Sequence, residues 1–213
     1  MRLLACLLAL SGCAGVALAE GAALPIEELK APKGFKVEVF AKDMVSSRSL
    51  ARGDKGTIFV GTRNNPDNVV YALVDTDGDN VADKTYIVAK GLNMPNGVAF
   101  YKGTLYIAEQ QRIVKLENIE DHLADPPAPV VVEDGFPLDG FHVWKFLSVG
   151  PDEKLYYNIG SCCNACSRET DGEKPAEPRF ATIERCNLDG SGRETVAHGV
   201  RQSVGITFHP QTK

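Results

Sequence analysis

The feature that most constrains this chain is a repeat. Three short runs, Gly56-Thr-Ile-Phe-Val60, Gly103-Thr-Leu-Tyr-Ile107 and Glu153-Lys-Leu-Tyr-Tyr157, align at spacings of 47 and 50 residues, preceded by turns such as Gly53-Asp54-Lys55 and Tyr101-Lys102. A second apolar run follows each of them: Asn68 to Asp75, Arg112 to Leu116 and Phe180 to Cys186. A period of this size built from about four short strands is the pattern of a β-propeller blade. A helical reading fails, because no stretch sustains an apolar 3.6-residue period for three turns and Gly or Pro interrupts nearly every candidate.

A fourth period opens at Ser203-Val-Gly-Ile-Thr-Phe-His-Pro210, whose Gly-x-x-Phe core matches Asn96-Gly-Val-Ala-Phe100, and by register Lys213 corresponds to Lys154. Three blades do not close a ring, and a blade cut between strands leaves an open edge. The expectation is therefore an all-β, partial propeller of about three blades, the N-terminal part of a longer protein. Ahead of the first repeat, Phe35-Lys-Val-Glu-Val-Phe-Ala41 alternates strictly and predicts a half-buried strand.

Residues 1–19 read as an export segment, with one positive charge at Arg2 and an apolar run from Leu3 to Leu10. Ala17-Leu-Ala19 before Glu20 fits small-x-small cleavage, whereas Leu10-Ser-Gly-Cys13 resembles a bacterial lipobox whose cysteine would be acylated. Cleavage after Ala19 is favoured, because a lipobox at Cys13 would leave a very short signal. Either way the expected location is periplasmic or secreted, with membrane attachment only through lipid on Cys13. Residues 20–32 then form a linker, and 33–213 the partial propeller domain.

Charge narrows the class of partner. The net charge of −5, or −6 once the segment carrying only Arg2 is removed, disfavours a nucleic-acid surface and points to a neutral small molecule. Cys162, Cys163, Cys166 and Cys186 remain after cleavage, and an even number in an oxidising compartment predicts disulfides, with three pairings open. A four-thiolate zinc site and a redox-active Cys163-x-x-Cys166 are the alternatives. Ser167 after Cys166 excludes haem attachment.

Two stretches carry candidate chemistry. Gly140-Phe-His142-Val-Trp-Lys-Phe-Leu147 runs into the turn Gly150-Pro-Asp-Glu153 and out through Leu155-Tyr-Tyr-Asn-Ile159, so it reads as two strands with His142 opening the first. A histidine there can act as a general base, since its ordinary pKa lies near neutrality; it can equally be a half-buried residue satisfied by backbone. Asp75-Thr-Asp77-Gly-Asp79-Asn-Val-Ala-Asp83 gathers four carboxylates that suit calcium, or forms a polar hairpin turn. It is not an EF-hand, because Asn80 stands where that loop needs Gly and Tyr86 where it needs Glu.

The run from His142 through Leu147 and Gly150-Pro-Asp152 to Leu155-Tyr-Tyr157 and Ile159-Gly160 resembles the catalytic blade of the soluble quinoprotein sugar dehydrogenases. The following Gly160-Ser-Cys162-Cys163-Asn-Ala-Cys166 is similar to the glucose/sorbosone dehydrogenase branch. The resemblance implies a six-bladed propeller that oxidises an aldose or sorbosone-like aldehyde with pyrroloquinoline quinone (PQQ) and Ca2+, and passes electrons to an external acceptor. It implies that His142 accepts the proton of the sugar hydroxyl while hydride passes to the quinone.

Gly199-Val-Arg201-Gln-Ser-Val-Gly205 resembles the family's Arg-Asn-Pro-x-Gly element, with Gln202 in place of Asn and Ser203 in place of Pro. The resemblance therefore places Arg201, and with it Gln202, beside the quinone, where a guanidinium suits the charge that develops on a quinone oxygen. Phe141 stands where the family often has an acidic residue before its histidine. Trp144 is expected in the core or as a sugar-stacking platform, and one of Glu109 to Arg112 facing the central cavity. A non-enzymatic exported propeller that binds a ligand and a metal-dependent propeller hydrolase are the rival readings, since fold alone does not fix function.

Overall fold

The structure, a computed structural model, describes residues 25–138, 142–165 and 180–212. Residues 1–38 and 39–213 are separate compact units. The described part of the first holds one 3-10 turn, Ile26–Glu28. The described part of the second holds three four-stranded antiparallel sheets, each with its strands in sequence order. The first is β1 (Ser47–Arg52), β2 (Ile58–Thr62), β3 (Val70–Val74) and β4 (Lys84–Ala89). The second is β5 (Gly97–Tyr101), β6 (Thr104–Ala108), β7 (Ile113–Leu116) and β8 (Val130–Glu133). The third is β9 (Leu147–Val149), β10 (Lys154–Ile159), β11 (Thr182–Asn187) and β12 (Glu194–His198). Consecutive four-stranded meanders are propeller blades, as the repeat required.

Burial explains why each repeated run ends in three consecutive apolar residues. The middle blade lies between two cores, so alternate side chains of its strands serve different neighbours. Leu105 and Ile107 of β6 enter a core with Phe59, Val70 and Val88 of the first blade, and Phe59 stacks on Phe100 at 5.5 Å. Tyr106 and Ala108 of the same strand enter a second core with Leu147, Leu155, Tyr157 and Ile159 of the third blade. The second strands β2, β6 and β10 are the most buried in their blades, and these are the strands the 47- and 50-residue repeat marks. β1 packs beside β5, and β5 beside β9, so the first strands of the three blades are neighbours.

Three sequence expectations are corrected. Phe35 to Ala41 forms no strand; Phe35 is 75% and Val37 42% exposed, and the backbone hydrogen bond from the Ala82 N–H to the Phe40 carbonyl (2.8 Å) does not make a ladder. Ser203 to Pro210 is likewise not a strand among the described residues. His142 does not open a strand, because β9 begins only at Leu147; residues 142–146 form the loop that leads into it. No helix among the described residues is long and apolar enough to cross a membrane. The export segment 1–19 lies outside them.

Candidate functional site

The loop that carries His142 is held by a residue sequence reasoning passed over. Asn158, buried within the apolar run of β10, accepts a hydrogen bond from the Phe146 N–H (2.7 Å) and donates from Nδ2 to the Trp144 carbonyl (3.1 Å). One amide side chain thus extends the β9–β10 ladder by proxy where the loop has left it. Its signal was there to read: a single amide in an otherwise apolar strand is costly unless it has partners. Gln202 Nε2 donates to the same Trp144 carbonyl at 3.0 Å, and Asn96 Nδ2 donates to the Lys145 carbonyl at 2.8 Å. Three amides from three segments therefore fix residues 144–146.

His142 itself is placed by Gly160. Its backbone N–H donates to the Ser161 carbonyl at 3.2 Å, and a Cβ on Gly160 would lie 2.2 Å from the His142 carbonyl oxygen and 2.5 Å from its Cβ. Only glycine admits this approach. Burial, and secondarily the positive charge of Arg201, hold the imidazole below its ordinary pKa of 6.5. The ring is therefore neutral at pH 7 and able to accept a proton.

A cavity of about 500 Å³ opens beside it, lined by Arg48, Ser49, Arg63, Asn96, His142, Trp144, Gln202, Ser203 and Val204. Arg48 lies on β1, and Arg63 directly follows β2; Ser47 pairs with Thr62, so both arginines sit at one end of the first hairpin. The Arg63 guanidinium lies over the Trp144 ring, 3.4 Å from its centroid. Arg63 Nε, Trp144 Nε1 and Gln202 Oε1 are buried without a hydrogen-bond partner among the described residues, which is the condition of groups that await a ligand. Trp144 is thus neither a core residue nor an open platform: it is a pocket wall with a cation on one face.

The other sequence candidates divide. Gln202 lines the cavity, whereas Arg201 is exposed and donates to the Asn164 side-chain oxygen at 2.7 Å. Arg201 reaches His142 only through its charge. Glu109 is buried, pairs with Arg112 and accepts from the Asn93 N–H at 2.5 Å. Arg48 and Arg63 were missed, since a basic residue at a strand end is an ordinary surface signal until the hairpin brings two together.

In the hairpin between β3 and β4, Asp75, Asp77 and Asp83 bring carboxylate oxygens within 4.8 Å of one another; Asp79 is not among them. Much of their hydrogen-bonding capacity serves the loop: Asp75 accepts from the N–H groups of Gly78 (2.7 Å) and Asn80 (2.9 Å), and Asp83 from the hydroxyl and N–H of Thr76 (both 2.6 Å). Those last two bonds hold Asp83 below its ordinary pKa.

The cysteines do not act alike. Cys163 is disulfide-bonded, while Cys166 lies outside the described residues. Cys162 is half-buried at the end of the blade. Cys186 corrects the expectation of full oxidation: it is a buried thiol in the second core, packed among apolar side chains. Burial, then the Glu133 carboxylate, push its pKa up to about 12.

Stacked four-stranded meanders with a polar cavity beside the first strands define a β-propeller. A family described as a domain of unknown function, DUF7133, matches residues 22–210, and the chain belongs to it. It is 29% identical over 193 residues to an uncharacterized protein of Borreliella burgdorferi, a match covering 85% of this chain and 46% of that protein. Its fold is similar to the holo PQQ domain of a pyranose dehydrogenase from Coprinopsis cinerea, with a TM-score of 0.69 at 14% identity over 84% of this chain and 44% of the other. It is also similar to a putative oxidoreductase (glucose dehydrogenase) from Thermus thermophilus, at a TM-score of 0.58 and 18% identity over 78% and 56% of the two chains. The PQQ-bound aldose sugar dehydrogenase of Streptomyces coelicolor matches at 0.51 and 19% over 72% and 48%. The chain thus spans about half the length of the proteins it matches.

Proposed function

We propose that this chain forms part of an exported quinoprotein dehydrogenase that oxidises a sugar at a carbon bearing a hydroxyl, with His142 as the general base. The observation that carries this is the His142 imidazole on the wall of a cavity whose other polar side chains are guanidinium, indole, amide and hydroxyl. PQQ, an anionic planar quinone, suits such a lining; Arg48, Arg63, Trp144 and Gln202 are the residues of this chain that would hold it. When bound, the quinone supplies a two-electron acceptor for hydride. His142 would take the hydroxyl proton as the carbon gives up its hydride, so that a carbonyl forms, with the proton on the protein and the hydride, a hydrogen with two electrons, on the acceptor. Burial, and then the charge of Arg201, favour the unprotonated imidazole. An external acceptor then removes the electrons, and Ca2+ is the cation that Asp75, Asp77 and Asp83 suit.

The test uses the full-length protein with PQQ and calcium, a panel of aldoses and dye reduction as the readout. Wild-type turnover is expected, and His142→Ala should lower it by about a hundredfold or more with PQQ affinity largely retained. Undiminished turnover in that variant would remove His142 from the chemistry. No turnover by the wild-type protein with any aldose would remove the activity.

A further inference from the structure

Among the described residues, the half-buried arginines elsewhere in the blades, and the exposed Arg193, meet carboxylates. Arg112 pairs with Glu109, Arg185 with Asp152 and Glu194, and Arg193 with Glu133. Arg48 and Arg63 meet none among the described residues, although both line the cavity and stand close enough for the charge of one to act on the other. Among the described residues no Asp or Glu lines the cavity with them. Arg48 is exposed and Arg63 half-buried, and two guanidinium groups on one hollow repel each other. Burial, then the charge of Arg48, accordingly pull Arg63 below the ordinary arginine value.

We infer that Arg48 and Arg63 form a carboxylate-binding pair, with the indole N–H of Trp144 as a third donor, for a ligand whose carboxylate sits on a flat or ring-shaped body. The geometry supplies the reasons. Arg63 Nε and Trp144 Nε1 are both buried donors without an acceptor among the described residues. Stacking of Arg63 on Trp144 holds the guanidinium in one plane, and a planar fork in a fixed plane is what bidentate carboxylate recognition needs. The backbone N–H of Arg63 donates to the Ser46 carbonyl at 3.0 Å, which ties its main chain to the residue just before the β-strand bearing Arg48. Anchored donors lose little freedom on binding.

This rests partly on the function proposed above, because the carboxylate could belong to the quinone cofactor or to an acidic sugar. Isothermal titration of the full-length protein separates the two, with PQQ and glucuronate as probes and glucose as the uncharged control. The variants are Arg48→Gln, Arg63→Gln and Arg63→Lys, each checked for its fold by circular dichroism. Arg48→Gln leaves the stack on Trp144 in place, so it tests the charge without disturbing the indole.

The expected result is that each Gln variant weakens at least one carboxylate probe by about tenfold or more and flattens its salt dependence, while glucose binding is unchanged. Arg63→Lys should recover part of the loss. Weakened PQQ identifies the cofactor as the carboxylate source. Weakened glucuronate with PQQ unaffected identifies the substrate. If the wild-type protein binds glucuronate through the arginines and never binds PQQ, the pair stands and the quinoprotein reading falls. Affinities for both probes within twofold of wild type in both Gln variants would overturn the inference, as would a wild-type protein that binds neither.

Discussion

The Arg63 guanidinium lies 3.4 Å from the centroid of the Trp144 ring, and this contact joins the end of the first blade's hairpin to the loop that leads into the third blade. Cation–π contacts contribute roughly 0.5–2 kcal/mol, more as they are desolvated. Trp144 is also the only tryptophan in the chain, so its fluorescence reports this one contact. Arg63→Ala should uncover the indole and shift its emission to the red, with the melting temperature lowered slightly. Emission identical to wild type would show that the stack does not shield Trp144.

Gly160 should not tolerate a side chain. A Cβ there would lie 2.2 Å from a backbone oxygen of His142, which cannot rotate away as a side chain could. Gly160→Ala should therefore displace the His142 loop, cost about 1–3 kcal/mol in urea unfolding and abolish most turnover. Wild-type stability together with wild-type turnover would contradict the placement of His142.

The pH dependence of turnover follows from His142. Its pKa lies below 6.5 through burial and then Arg201, so the acid limb of the pH–rate profile should fall below that value. Arg201→Gln removes a positive charge that opposes protonation, so the imidazole gains a proton more readily and the limb should move to higher pH. A limb that stays in place, or moves to lower pH, would show that Arg201 does not act on His142.

Asn158→Leu keeps the volume of a buried side chain but strips the Phe146 N–H of its acceptor and the Trp144 carbonyl of one donor. A buried polar group left without a partner costs about 1–3 kcal/mol. The variant should unfold at lower urea and lose turnover through disorder of the loop. Unchanged stability would mean that water replaces the amide.

Cys186 should resist alkylation in the native protein and react promptly once unfolded, because it is 0% exposed and its thiol is pushed up to about 12. Peptide mapping after labelling with and without denaturant decides it. Native labelling, or Cys186 recovered in a disulfide, would show that the second core is not closed around it.

What the sequence by itself determined is the repeat and its strands. Gly56 to Val60, Gly103 to Ile107 and Glu153 to Tyr157 each mark the second strand of a blade, and Asn68 to Asp75, Arg112 to Leu116 and Phe180 to Cys186 each overlap the third. These are legible because a strand buried on both faces needs apolar residues at every position, and that demand is local. The outer strands β4, β8 and β12 were not singled out, since their half-exposed faces carry mixed residues such as Glu194-Thr-Val-Ala-His198. His142 and Gln202 were legible as candidates through short motifs.

Only the tertiary structure decided what surrounds them. Arg48 and Arg63 become a pair because β1 and β2 are hydrogen-bonded neighbours, and Trp144 meets Arg63 across 81 positions of chain because two blades stand side by side. The same holds for the failures: Phe35 to Ala41 alternates like a strand and is not one, because a strand needs a partner that its own sequence does not supply. Local patterns specify which residues must be buried. Which charges end up facing one cavity depends on contacts between residues far apart in the chain, and no spacing within a single segment records those.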